Sequence, residues 1–120
     1  MFDLIKSKAS HLIQGELAEK QALTYLKNQG LIFVAQNYSC KHGELDLIMK
    51  DKDTLVIVEV RFRKNNIYGS ALESVTQKKQ NRIINTTHIY LSKFESIPLI
   101  RFDIIAITGN SKIEWIKNAF

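Results

Sequence analysis

Alternation is the clearest pattern along the chain. Residues 43–50 (GELDLIMK) and 54–63 (TLVIVEVRFR) each alternate between two faces, with Asp51, Lys52 and Asp53 between them. Two alternating runs joined so closely predict a β-hairpin. Residues 31–38 form a shorter β-rich run before it. Ahead of that, Leu12, Gly15, Ala18, Ala22, Tyr25 and Leu26 recur at about 100° per residue, predicting a helix over 10–29 that stops at Gly30. A second helix is expected over 70–93, where Leu72, Val75, Lys79, Ile83 and Tyr90 make one stripe. Ser96, Ile97 and Pro98 close it, and two further strands follow at 100–108 and 112–116 around a Gly109-Asn110 turn. The order α-β-β-β-α-β-β predicts an α/β fold, a mixed β-sheet flanked by helices, in one domain spanning residues 1–120.

Composition narrows the class. Hydrophobic residues are 45% and charged residues 24%, with five Gly and one Pro, so neither a collagenous nor a low-complexity chain is expected. Cys40 is the one cysteine, which excludes an internal disulfide and points to a reducing cytoplasm. No apolar run approaches the roughly 20 residues that cross a bilayer, and the opening residues lack the apolar core of a signal peptide. Seventeen Lys and Arg against twelve Asp and Glu give a net charge of +5, which makes a polyanion, and nucleic acid first, the expected partner class.

Candidate chemistry lies on the hairpin. Strand alternation puts Glu44 and Asp46 on one face of the second strand, with Leu45, Leu47 and Met49 on the other. On the third strand Glu59, Arg61 and Arg63 share a face, opposite Val56, Val58, Val60 and Phe62. Neighbouring strands run about 4.8 Å apart, so Asp46 and Glu59 come within reach of one bridging cation. Two carboxylates aimed at one point repel, and a hard divalent ion such as Mg²⁺ removes that penalty while activating water for attack on phosphorus. Plain ion pairing on a solvated sheet face would use the same residues. Glu19 falls inside the apolar arc of the first helix, Glu16 lies just beyond its edge, and Lys79 interrupts the apolar stripe of the second. Four elements are therefore expected to send ionic groups toward one sheet face. Lys41 and His42 precede Gly43 and could meet phosphate from a loop. His11, His42 and His88 have no metal-ligand spacing, and Trp115, Tyr90, Tyr68 and the six Phe are expected in the core.

The segments GELAEKQALTYL, GELDLIM, VIVEVRFR, YGSALESVTQKKQ, RFDIIAITG and EWIKNAF resemble, in order and spacing, small bacterial proteins of the YraN type. Those proteins are placed in the PD-(D/E)xK, or restriction-endonuclease-like, superfamily, together with Holliday-junction resolvases. The resemblance implies an αβββαβ core with its site on the hairpin strands. It implies Asp46 and Glu59 as metal ligands for Mg²⁺ or Mn²⁺, and Glu16 as an added first-helix ligand. Arg61 stands where the motif has lysine. Arginine can hold a phosphate but is too basic to take a proton, so Lys79 is the candidate to act in its place. Lys79 and Gln80 match the family's Lys-Gln pair, and Arg101 and Asp103 its RFD segment. Arg61, Arg63, Lys41, Lys79 and Gln80 are the candidate nucleic-acid contacts.

The expected function is metal-dependent hydrolysis of phosphodiesters in structured or branched DNA, with Asp46, Glu59, Arg61 and Lys79 in catalytic roles. Two alternatives stay open. One is a binding module that retains the fold and its basic rim without cutting. The other is an adaptor recruited by a DNA-repair or DNA-uptake protein. A homodimer would suit a nuclease that cuts two strands. No membrane association is expected.

Overall fold

The computed structural model describes residues 2–65 and 69–120, with side chains from residue 12 onward. Tyr68 and the side chain of His11 therefore lie outside the described residues. The elements run α1 (Phe2–Asn28), β1 (Ile32–Cys40), β2 (Gly43–Asp51), β3 (Thr54–Arg63), α2 (Gln77–Leu91), β4 (Leu99–Thr108) and β5 (Ile113–Ile116). This is the predicted order, and the α/β class with a helix-strand-strand-strand-helix-strand core suits a restriction-endonuclease-like fold. The five strands form one sheet in the order β1-β2-β3-β4-β5, antiparallel except for the parallel pair β3 and β4. A parallel pair needs a crossover, and α2 supplies it.

Each helix covers one face of the sheet. Ala18, Ala22 and Leu26 of α1 pack on Leu47, Met49, Val56, Val58, Ile105 and Ile107. Ile83, Tyr90 and Leu91 of α2 pack on Ile48, Leu55, Ile57, Ile104 and Ala106. The small residues on α1 let its backbone approach the sheet closely, whereas Leu12, placed on the same arc, is 69% exposed. At the other end the Leu31 amide donates to the Leu26 carbonyl and the Gly30 amide to the Lys27 carbonyl, with Gly30 at φ 96°. That pair of bonds is a helix stop that requires a left-handed residue, as expected at Gly30.

The second helix is shorter than its apolar spacing suggests. Residues 70–75 form turns, in which the Ser74 amide donates to Ser70 and Ala71 carbonyls. The helix begins after Thr76, an extended N-cap whose hydroxyl accepts from the Lys79 amide. Leu72 is thus outside the helix and exposed. The 3.6-residue spacing of Leu72 and Val75 continues the stripe by coincidence, and the capping threonine marks the true start.

A polar centre fastens β4, β5 and the end of β2. Asp103 is fully buried and accepts from Arg101 Nε and a terminal guanidinium nitrogen, Trp115 Nε1 and the Asn118 amide, each at 2.9 Å. Arg101 reaches on to Asp51 at 3.0 Å. Every oxygen of the carboxylate is satisfied, so the RFD segment ties β4 to β5 and to the β2 terminus.

Candidate functional site

The β2–β3 ladder ends at the pair Leu47 and Val58. One step further Asp46 would face Glu59, but the Asp46 carboxylate accepts the Val60 amide at 2.9 Å, where a strand carbonyl would otherwise bond. The other neighbour yields at the same level: β1 pairs Gln36 with Leu47 and Tyr38 with Leu45, and between them Asn37 sits at φ 54°. β2 changes face there. Leu45 packs with the α2-side core while Leu47 and Met49 pack with the α1-side core, so the simple alternation expected through residue 45 does not hold.

This opening in the sheet is where side chains from both layers meet. Glu19 of α1, Glu44 and Asp46 bring carboxylate oxygens to within 4.8 Å of one another. Asn37, with its amide nitrogen turned inward, donates to Glu19 Oε2 at 3.1 Å and to Glu44 Oε1 at 3.3 Å. Glu59 is buried on the α2 side, next to Asp46, and Lys79 of α2 contacts its Oε1 at 2.9 Å. A cavity of about 210 Å³ is bounded by Glu44, Asp46, Glu59, Lys79 and Arg82, with Gly43 and Ile83 as its apolar wall. The helices lie on opposite faces, so the ionic groups converge through the parted strands rather than on one sheet face as expected.

Burial and charge crowding act together on the acids. Burial first, and the Glu59 charge second, push the Asp46 carboxyl from 3.8 up to about 8, against the lowering effect of the Val60 amide. Glu19 is also raised, chiefly by burial and further by the Glu44, Glu16 and Glu59 charges, while Asn37 opposes the rise. Carboxylates this crowded favour a shared proton or a shared cation.

The sequence-derived candidates fall at different places. Asp46, Glu59 and Lys79 line the cavity. Glu16 is exposed one turn before Glu19, in a neighbouring cleft with Gln36 and Asn37. Arg61 is partly exposed on β3 two residues beyond Glu59, and Lys41 is exposed in the β1–β2 turn. Arg63 donates to the Gly69 carbonyl at 2.6 Å, and among the described residues one of its terminal nitrogens is buried without a hydrogen-bond partner. Gln80 spends its amide on the Val75 carbonyl at 3.1 Å. Asn37 and Arg82 join the site without any mark in the hydrophobic pattern. Arg82 follows Lys79 by three residues on α2, a spacing that places both on one side, whereas nothing local marks Asn37. A larger cavity of about 540 Å³ lies between α1 and β5, but it is mainly apolar, with Lys20 as its one charged group among the described residues. Size alone does not mark the chemistry here.

Comparison with known proteins places these residues in a family context. The model of an uncharacterised protein family, UPF0102, matches residues 18–107. A UPF0102 protein of Psychromonas ingrahamii is 53% identical over 108 residues, 89% of this chain and 88% of its own length. One from Herminiimonas arsenicoxydans is 45% identical over 116 residues, 97% and 93% of the two chains. A third, from Legionella pneumophila, is 50% identical over 111 residues, 89% and 93%.

Proposed function

The chain belongs to the uncharacterised UPF0102 protein family, and on that premise we propose that it is a metal-dependent phosphodiesterase acting on DNA, with branched or otherwise structured DNA as the substrate. One observation carries the proposal: Glu19 of α1 and Glu44 and Asp46 of β2 bring carboxylate oxygens within 4.8 Å of one another, and Glu59 of β3 stands beside a partly buried Asp46 whose carboxyl is pushed up to about 8. Such crowding costs stability when no counter-charge is present, and it concentrates negative charge on a protein of net charge +5. That cost is readily understood if the pocket holds a cation during function.

The donor set fits a hard divalent ion. It offers carboxylate oxygens only, on strand and helix backbones rather than loops, with Asn37 and the Val60 amide orienting them. Asp46 and Glu59 would hold Mg²⁺ or Mn²⁺, with Glu19 and Glu44 at hand and Glu16 a turn further out. When bound, such an ion supplies a water of lowered pKa and polarises a phosphate oxygen. The chain's own groups do the rest. Asp46 accepts the Val60 amide with one oxygen and lies against Glu59, so that a cation would come between the two carboxylates. Lys79 stands at the cavity rim with its ammonium on Glu59, placed where a phosphate gaining charge would draw it. Arg61, always charged, can grip a phosphate oxygen but cannot take a proton, which leaves proton removal to carboxylates.

Branched, nicked and single-stranded DNA incubated with the protein and Mn²⁺ test the proposal. Cleavage is expected, abolished by EDTA and by Asp46→Ala or Glu59→Ala. Cleavage that survives both substitutions, or no cleavage of any substrate, would overturn it. A binding module without turnover is the second reading, favoured by Arg61 in the motif's lysine position. It predicts salt-sensitive DNA binding that Asp46→Ala leaves intact or strengthens.

A further inference from the structure

A second cavity of about 430 Å³ adjoins the acidic one and shares Gly43, Glu44 and Arg82 with it. Its remaining wall is the β1–β2 turn, where Lys41 and His42 stand between Ser39 and Gly43. The character of the groove changes from one end to the other. Around Asp46 the lining is acidic; around the turn it carries Lys41, His42 and Arg82 against the single carboxylate of Glu44. Among the described residues neither Lys41 nor Arg82 takes part in an ion pair. The turn is also held in place. Gly43 lies at φ 151°, and a Cβ there would come within 2.9 Å of Thr86 Oγ1, so this end of β2 is pressed against α2 beside Arg82.

We propose that this groove is a second phosphate subsite, in which Lys41 and Arg82 hold the phosphate next to the scissile one on the same DNA strand. The inference rests on the reading of the acidic cavity as a phosphodiester site and extends it to the substrate's length. A strand laid along the groove puts one phosphate at the acidic end and the following one between two free cations. Arg82 borders both cavities and stands at the join. A compact substrate with one phosphate would use only the first cavity, whereas an oligonucleotide would use both. This is how the protein would favour polymer over mononucleotide without reading base sequence.

Fluorescence anisotropy of a fluorescein-labelled oligothymidylate, about ten nucleotides long, tests the subsite in EDTA, where turnover does not enter. Each phosphate contact on single-stranded DNA contributes about 0.7 to the slope of log affinity against log salt. Lys41→Ala with Arg82→Ala is expected to lower that slope by about 1.4 and to weaken binding at moderate salt about tenfold. Arg82→Glu should weaken it further. Lys50→Ala removes an exposed charge near the far end of β2 and should change neither quantity. Both mutated side chains in the double variant are exposed, and circular dichroism melting confirms that it folds. A wild-type slope retained in the double variant overturns the subsite while nucleic-acid binding stands. No binding by the wild type overturns both. A protein that binds through this groove yet cuts no DNA supports the subsite and overturns only the hydrolytic reading.

Discussion

Replacing Asp46 with asparagine should make the metal-free protein more stable at alkaline pH, the reverse of what removing a buried charged side chain usually does. The carboxyl is raised from 3.8 to about 8 by burial and by Glu59. In the unfolded chain it loses its proton near pH 4; in the folded chain it keeps it to about 8. The folded state therefore binds the extra proton between those values, and stability falls as pH rises through that window, then levels off. At about 1.4 kcal/mol per pH unit, the full difference is on the order of 6 kcal/mol. Relaxation of the pocket and water entry reduce it, so a gain of about 2–4 kcal/mol at pH 8.5 is expected for Asp46→Asn. The asparagine oxygen still accepts the Val60 amide, so that bond is retained. Urea unfolding in EDTA, followed by Trp115 fluorescence at pH 4.5 and pH 8.5, measures both points. Wild type should lose stability between them and the variant much less. If Asp46→Asn is no more stable than wild type at pH 8.5, the carboxylates are not crowded as described. Saturating Mn²⁺ should reverse the order by stabilising wild type alone, by about 2.7 kcal/mol at a hundredfold excess over the dissociation constant.

Three other substitutions probe the surroundings. Lys79→Met leaves Glu59 buried without its 2.9 Å partner; because the lysine is itself partly exposed, a loss of about 1–2 kcal/mol in urea unfolding is expected, and Lys79→Arg should restore much of it. Asp103→Ala strands Arg101, Trp115 Nε1 and the Asn118 amide, and should cost about 3–5 kcal/mol with a shift in Trp115 emission. Gly43→Ala meets Thr86 Oγ1 at 2.9 Å and should lower the melting temperature; Gly43→Ala with Thr86→Ala relieves the contact but not the backbone strain, so recovery should be partial.

The sheet was legible because its signals are local. The turn of Lys52 and Asp53 joins Asp51 to Thr54 as the alternation on either side requires. The apolar face of α1 and its Gly30 stop need only the helical period. The site was legible in part. Asp46 and Glu59 occupy places that sum to the same register as the observed pair Leu47 and Val58, so their approach follows from counting along a hairpin. What counting misses is the break in that register. Asp46 takes a backbone donor with its side chain, Asn37 adopts a left-handed conformation, and β2 changes face, so Glu44 and Asn37 join the cluster through an irregularity that no periodicity encodes. Glu16 and Glu19 lie one helical turn apart, and only the docking of α1 through Ala18 and Ala22 decides which carboxylate reaches the opening. Convergence from opposite faces is equally a matter of tertiary packing.

Among the described residues, no helix is long and apolar enough to cross a membrane. The feature to be explained is the opening between β2 and β3, an acidic cavity bordered by Lys79 and Arg82. Diffraction from crystals soaked in Mn²⁺, recorded for anomalous signal, tests it most directly. The account predicts one strong peak per chain among the oxygens of Asp46, Glu59 and their neighbours, absent in Asp46→Asn. A pocket that stays without an ion at millimolar Mn²⁺, or a peak bound elsewhere on the surface, would contradict it.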